Sequence, residues 1–303
     1  MSEHITHTAV MDDCARLAVY SHEICENFKH VLRQKLEICR FAAMTRSGDN
    51  FTVPLLRKLR DHWPNRRPGD LTEEKLAFLL GWRCHLAADR TFKPVYRILD
   101  PQHYLKGDDE EGETSDVSIY HDVVVFREVY GNGTRAPFSP SALDFRLESH
   151  PAWRALPVRA LERLFLPLWQ GELLRIQSRR DLSNFQSYRI TVMRYSSAFY
   201  APDPDKMRRY IIEPNFYNPN DPLIALARSI QQGAPRRDLS LRDALSSAPR
   251  QSQYAQALER GYRYLHAASE YFVGRIDELE LQRRCDVGKP HVPPDLDPRR
   301  RKS

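Results

Sequence analysis

Cysteine is scarce in this sequence and not arranged in pairs. Its five residues (Cys14, Cys25, Cys39, Cys84, Cys285) are odd in number, and no two stand in a CxxC spacing. That excludes a disulfide framework and a thiolate zinc site and points to a reducing cytoplasm. Long apolar runs are also missing: no stretch approaches about 18 residues, so no transmembrane span is expected. Met1-Ser2-Glu3-His4-Ile5-Thr6-His7 has neither a basic nor an apolar region, so no secretory signal is read and a cytoplasmic location is expected. There is no GxSxG elbow, no P-loop and no GxGxxG. His22-Glu23-Ile24-Cys25-Glu26 opens like a zincin helix but lacks the second histidine. The acidic loop at 108–113 reads as solvated, not as a glycosidase carboxylate pair.

Lysine is rare as well, 9 of 46 basic residues, the others being arginine; the net charge is +6. Arginine forks suit an anionic substrate. The excess is modest, however, and part of it lies in Arg299-Arg300-Arg301-Lys302, so nucleic acid is not expected as a partner. Histidine, by contrast, is unevenly placed. Eight of 11 (His4, His7, His22, His30, His62, His85, His103, His121) fall at or before position 121, where only 5 of 21 prolines lie. The first half therefore holds most of the side chains that bind metals.

Apolar residues recur with helical period over 5–41, 53–63 and 72–90, with Thr72 expected as the cap of the last. Helix or strand is open for 117–130 because of its valine run. Beyond Gly131-Asn132-Gly133 the pattern predicts helices near 151–177, 222–232 and 250–284, with a proline-rich crossing at 202–222. The fold class is mainly α. Residues 1–130 form a site-bearing region, 131–285 a helical extension continuous with it, and 286–303, charged and with four prolines, a disordered tail.

The strongest local signal is His85-Leu86-Ala87-Ala88-Asp89. Four residues apart on a helix, His85 and Asp89 project together and can share one metal ion. Gly81, one turn back on the same face, allows another helix or a ligand to come close. Around this pair stand His4 and His7 on the first helix with Asp12 and Asp13 after them, then Asp49 in a Ser-Gly-Asp loop and His62 at a helix end. His121 and Glu128, seven apart, are two turns along one face. His121-Asp122 is also an HD dipeptide, which makes an HD-type phosphohydrolase with His85 as first ligand a rival reading.

The order of these residues resembles the zinc-dependent phospholipase C family, related in fold to the single-strand-specific zinc nucleases. The resemblance covers about residues 4–130 and rests on the run from Leu79 to Pro94, where Gly81, His85 and Asp89 match an apolar-Gly-x-x-x-His-x-x-x-Asp helix preceding a His-Pro step. Thr6-His7 is similar to that family's N-terminal threonine–histidine, and Asp49, His62, His121 and Glu128 follow in the order of its further ligands. Lys93 stands where the family has its histidine before proline, and Val125 stands at the fourth position after His121, so Glu128 takes the carboxylate's place.

The resemblance implies an all-α bundle with additional C-terminal helices and a phosphodiesterase or phosphomonoesterase activity using metal-activated water. The implied cofactor is one to three zinc ions, two being the expectation, bound by His7, Asp49, His62, His85, Asp89, His121 and Glu128. Asp49 or Asp89 would bridge them and serve catalysis, and Arg83, Arg90 and Lys93 would hold the phosphoester substrate. The non-enzyme alternative is a helical scaffold with an eroded metal site serving as an interaction module, for which Lys93 and Val125 are the signs.

Overall fold

The computed structural model describes residues 4–43, 49–105, 115–131, 194–195 and 197–296. Every regular element among them is a helix or a helical turn, so the class is mainly α. The expected helix at 151–177 lies outside the described residues. Among these residues no helix is long and apolar enough to cross a membrane.

The expected first helix is three: α1 (His4–Tyr20), α2 (Glu26–Gln34) and α3 (Leu36–Ala43). The break after α1 is stabilised by side chains that satisfy backbone N–H groups outside any helix. Ser21 Oγ accepts from Glu23 N at 3.0 Å, and Ser269 Oγ accepts from Cys25 N at 2.8 Å. α4 (Asp49–His62) ends in a tight turn, Trp63–Asn65, around Pro64. α5 (Thr72–Leu99) is capped by Asp70, whose Oδ1 accepts from Thr72 N at 2.9 Å, and not by Thr72 itself. It also runs on past the expected end near Arg90 through Pro94, which costs one backbone hydrogen bond but does not stop a helix anchored beyond it by buried Tyr96 and Arg97.

α6 (Pro101–Leu105) precedes α7 (Asp116–Val125), which is helical despite its valines because all of Val117 to Val125 is buried; burial outweighs local propensity. A wide π turn, Phe126–Tyr130, follows it. Next come α8 (Pro204–Met207), α9 (Pro222–Gln231), α10 (Leu241–Ser247), α11 (Gln253–Phe272) and α12 (Glu278–Arg284). The single helix expected at 250–284 is thus two, because Gly274 takes a left-handed conformation (φ +77°) just past the end of α11.

α5 is the axis of the molecule, packed against α1, α3, α4 and α11. From Leu76 to Phe92 every residue of it is buried. An all-round buried helix takes its polar side chains into the interior with it; here those include His85 and Asp89. α1 is fixed beside it by two acids. Asp12 accepts from Arg40 Nε at 2.7 Å and Tyr130 OH at 3.1 Å, and Asp13 accepts from Tyr254 OH at 2.9 Å and pairs with Arg16 and Arg228. Both carboxylates are therefore spent on structure.

Two glycines set the helix spacing. A Cβ on Gly81 would lie 2.2 Å from the Cys39 carbonyl oxygen and 2.6 Å from Ala42 Cβ, so α3 lies directly on α5 at this point. A Cβ on Gly261 of α11 would lie 2.5 Å from Cys14 Sγ of α1. Gly81→Ala is expected to destabilise the fold by about 1–3 kcal/mol, because the obstacle is backbone that cannot rotate away. Urea denaturation of the two proteins at neutral pH measures it, and an unchanged midpoint would show that α3 yields freely.

Candidate metal centre

His85 and Asp89 lie one turn apart on α5, and their side chains meet: His85 Nε2 is 3.2 Å from Asp89 Oδ2. α1 brings His7 to the other carboxylate oxygen, with Nε2 at 3.4 Å from Asp89 Oδ1. The two imidazoles pack on each other with centroids 4.6 Å apart. The donor atoms of all three residues lie within 4.8 Å of one another, and the side chains are only 2 to 6 % exposed. His7 is placed by the start of its own helix. Asp122 on α7 accepts from both Thr6 N at 2.8 Å and Thr6 Oγ1 at 2.7 Å, satisfying a first-turn N–H of α1 from 116 residues away. The acid of the HD dipeptide is thus a clamp on α1, its second oxygen taking Tyr195 OH at 2.8 Å.

The protonation pattern follows from the hydrogen bonds. His85 Nδ1 lies 2.8 Å from the Ala43 carbonyl at the end of α3. A carbonyl only accepts, so Nδ1 carries the proton. Burial holds the imidazole pKa below its ordinary value, only partly opposed by Asp89. The neutral ring therefore turns a bare Nε2 lone pair towards a carboxylate. Asp89 is ionised: burial pushes its pKa up, but the Lys93 ammonium beside it outweighs that and keeps it well below the usual range. Two sets of lone pairs face each other at 3.2 Å, an arrangement that a cation between them relieves. An imidazole Nδ1–H tied to a backbone carbonyl is also the usual support of a metal-ligating histidine. The residues present fit one zinc-type ion with a His₂Asp set.

The solvent side of Asp89 is closed by two further groups. Lys93 Nζ donates to Oδ2 at 2.6 Å, and His291 Nδ1 lies 3.5 Å from the same oxygen. His291 was not legible as a site residue in the sequence, because it stands in the proline-rich segment expected to be disordered. Residues 286–296 of that segment instead run in turns across α5; 297–303 lie outside the described residues.

Of the other expected ligands, His62, Glu128 and His121 are not brought to this cluster. Asp49 starts α4, and its side chain is outside those described. His62, 52 % exposed, bonds Asp70 at 3.0 Å, held in the loop by which Asp70 also begins α5. Glu128 pairs with Arg127 at 2.8 Å; the π turn beginning at Phe126 breaks the two-turn register that would align it with His121. Arg83 is fully buried and lies two residues, roughly 200° around the helix, from His85. None of its guanidinium nitrogens makes a hydrogen bond. Arg90 points to the C-terminal segment and donates to the carbonyls of Cys285, Asp286 and Lys289. Of the three expected cations, only Lys93 contacts Asp89, with Nζ at 2.6 Å from Oδ2.

His121 is buried in an aromatic layer, its ring stacked on Phe216 with centroids 3.5 Å apart. Its Nε2–H donates to the Tyr210 carbonyl at 3.0 Å and its Nδ1 accepts from Tyr96 OH at 3.2 Å. Both nitrogens are used, and burial lowers the pKa to about 3. An unfolded histidine protonates near about 6.5. Stability is therefore lost as pH falls from about 6.5 towards 3, where only the unfolded chain takes up the proton. Between pH 7 and 5 this group should cost about 2 kcal/mol. His121→Gln should show a correspondingly smaller fall in urea stability over that range; an equal fall would assign the acid sensitivity elsewhere.

No family model, curated protein or solved structure matches this chain.

Proposed function

We propose that this protein is a metal-dependent phosphoric-ester hydrolase in which His7, His85 and Asp89 hold a single divalent ion, zinc by donor type. The observation that carries the metal site is the meeting of His85 Nε2 and His7 Nε2 at the buried Asp89 carboxylate, at 3.2 and 3.4 Å, with His85 Nδ1 held by the Ala43 carbonyl. The resemblance of residues 79–94 to the zinc-dependent phospholipase C helix directs the reading towards phosphoesters. Three protein donors gather among the described residues, a set that suits one ion.

Bound there, a divalent ion supplies Lewis-acid stabilisation of charge on a phosphoryl oxygen. The chain's own groups do the rest. His7 and His85 face Asp89 with their Nε2 atoms as ligands, and burial excludes bulk water from these donor atoms. Lys93, 37 % exposed on its side chain, is the cation at the mouth. Released from Asp89, its ammonium can turn to an incoming phosphate oxygen and orient the ester.

A second reading has its own observation. Lys93 Nζ at 2.6 Å already neutralises Asp89, as it would in a non-catalytic scaffold whose metal site has eroded.

Metal analysis of the purified full-length chain, combined with hydrolysis of bis-p-nitrophenyl phosphate, separates the two. The hydrolase should carry about one zinc per chain. His85→Ala and Asp89→Ala should lose both metal and turnover, while His62→Ala keeps both. Lys93→Met should bind zinc about tenfold more tightly, through loss of the competing ammonium, yet turn over more slowly. Absence of metal from the wild-type chain after zinc dialysis would overturn the hydrolase reading and leave the scaffold.

A further inference from the structure

A groove of about 1060 Å³ lies away from the metal centre, between α1, the α2–α3 corner and the α9–α10 joint. Each wall supplies apolar lining: Val19 of α1, Leu32 of α2, Leu36 of α3, Ile230 of α9, and Leu239 and Leu241 on either side of Ser240, the cap of α10. Five of the six pack against the core and are only partly buried, Leu32 being the exception. A concave apolar surface of this size is the usual setting of a ligand site. Charge stands at the rim. Arg33 on the α2 side and Arg242 on the α10 side are exposed, and their acidic neighbours Glu26 and Glu23 lie at 4.0 and 3.6 Å, beyond hydrogen-bond length. Glu26 is itself bonded by Lys29 Nζ at 2.8 Å. The acids that line the groove are engaged as well: Asp12 accepts from Arg40 and Tyr130, and Glu23 from Tyr262 OH at 3.3 Å. With Arg16 also in the lining, the balance of charge at the groove is positive.

We infer that this groove is a binding site for a long-chain carboxylate, with the alkyl chain on the apolar walls and the carboxylate paired with the rim arginines Arg33 and Arg242. The division of the lining selects this chemistry. Methylene groups laid on Val19, Leu36, Ile230, Leu239 and Leu241 leave water together with the outer sides of those residues, and bring no polar group that the walls would have to satisfy. The single polar end then stays where the guanidinium forks are, and a carboxylate matches such a fork with two parallel hydrogen bonds. A neutral chain would use the walls and leave the arginines idle. The site shares no residue with the His7–His85–Asp89 cluster, so it stands or falls separately from the metal centre.

The test is a titration of the full-length chain with cis-parinaric acid, a carboxylate whose polyene fluorescence rises in apolar surroundings, followed by displacement with oleate and with oleyl alcohol. The wild type should bind the probe saturably and release it to oleate. Oleyl alcohol, the same chain without the charge, should compete about tenfold less well. The double variant Arg33→Gln, Arg242→Gln should lower oleate affinity by about tenfold, to that of the alcohol, and leave the alcohol unchanged. Leu239→Asp and Leu36→Asp, each placing a like charge on a partly buried wall, should abolish probe binding while the helical circular dichroism is kept. Failure of the wild type to bind the probe saturably overturns the site. Equal displacement by oleate and oleyl alcohol overturns the carboxylate assignment, and unchanged probe binding in both wall variants shows that the ligand sits elsewhere and overturns the groove.

Discussion

A single buried carboxylate organises this molecule. Asp89 is only 3 % exposed and ionised, and an isolated charge in such a place is prohibitively expensive. The structure answers by bringing groups from four places to its two oxygens: His7 from α1, His85 and Lys93 from one turn before and after it on α5, and His291 from beyond α12. Removing Asp89 would leave those groups without a common partner. The carboxylate is thus at once the electrostatic centre of the packing and the centre of the candidate site.

The surrounding helices are arranged so that this constellation holds its shape. α1 is gripped at its start by Asp122 and further along by the pairs of Asp12 and Asp13, so His7 cannot drift along the helix axis. α3 reaches van der Waals limit against α5 at Gly81, and this close approach delivers the Ala43 carbonyl to His85. Packing and tautomer are therefore one problem: the glycine that admits α3 also allows the proton on His85 to be fixed on Nδ1. A groove of about 1060 Å³ between α1, α2 and the α9–α10 joint is lined by none of the cluster residues. The His7–His85–Asp89 cluster is a tight interior site, bordered by Lys93 and His291 and not by that groove.

Much of this was legible in the chain. The mainly helical class follows from apolar periodicity, and the 85–89 spacing places histidine and carboxylate on one face wherever that helix goes. Gly81 was legible as a point of close approach. His7 stood out by being histidine near the start of another apolar helix. Other residues misled because local pattern says nothing of what lies opposite. His62 met Asp70 from the next loop, Glu128 was turned away by a π turn, and His121 found an aromatic layer, a carbonyl and a hydroxyl that use both its nitrogens. Arg90 carries the charge of a phosphate clamp but was taken by three carbonyls of the C-terminal segment.

By itself the sequence determined the mainly helical class and the meeting of His85 with Asp89, because both depend on interactions within a few residues, where 3.6-residue periodicity sets the geometry. Only the tertiary structure decided which histidines join that pair. The 2.8 Å bond from Asp122 to Thr6 spans 116 residues, and the approach of His291 to Asp89 spans about two hundred. Such contacts depend on how buried charges and backbone groups find partners across the packed core, a constraint that acts through space and leaves no period in the chain.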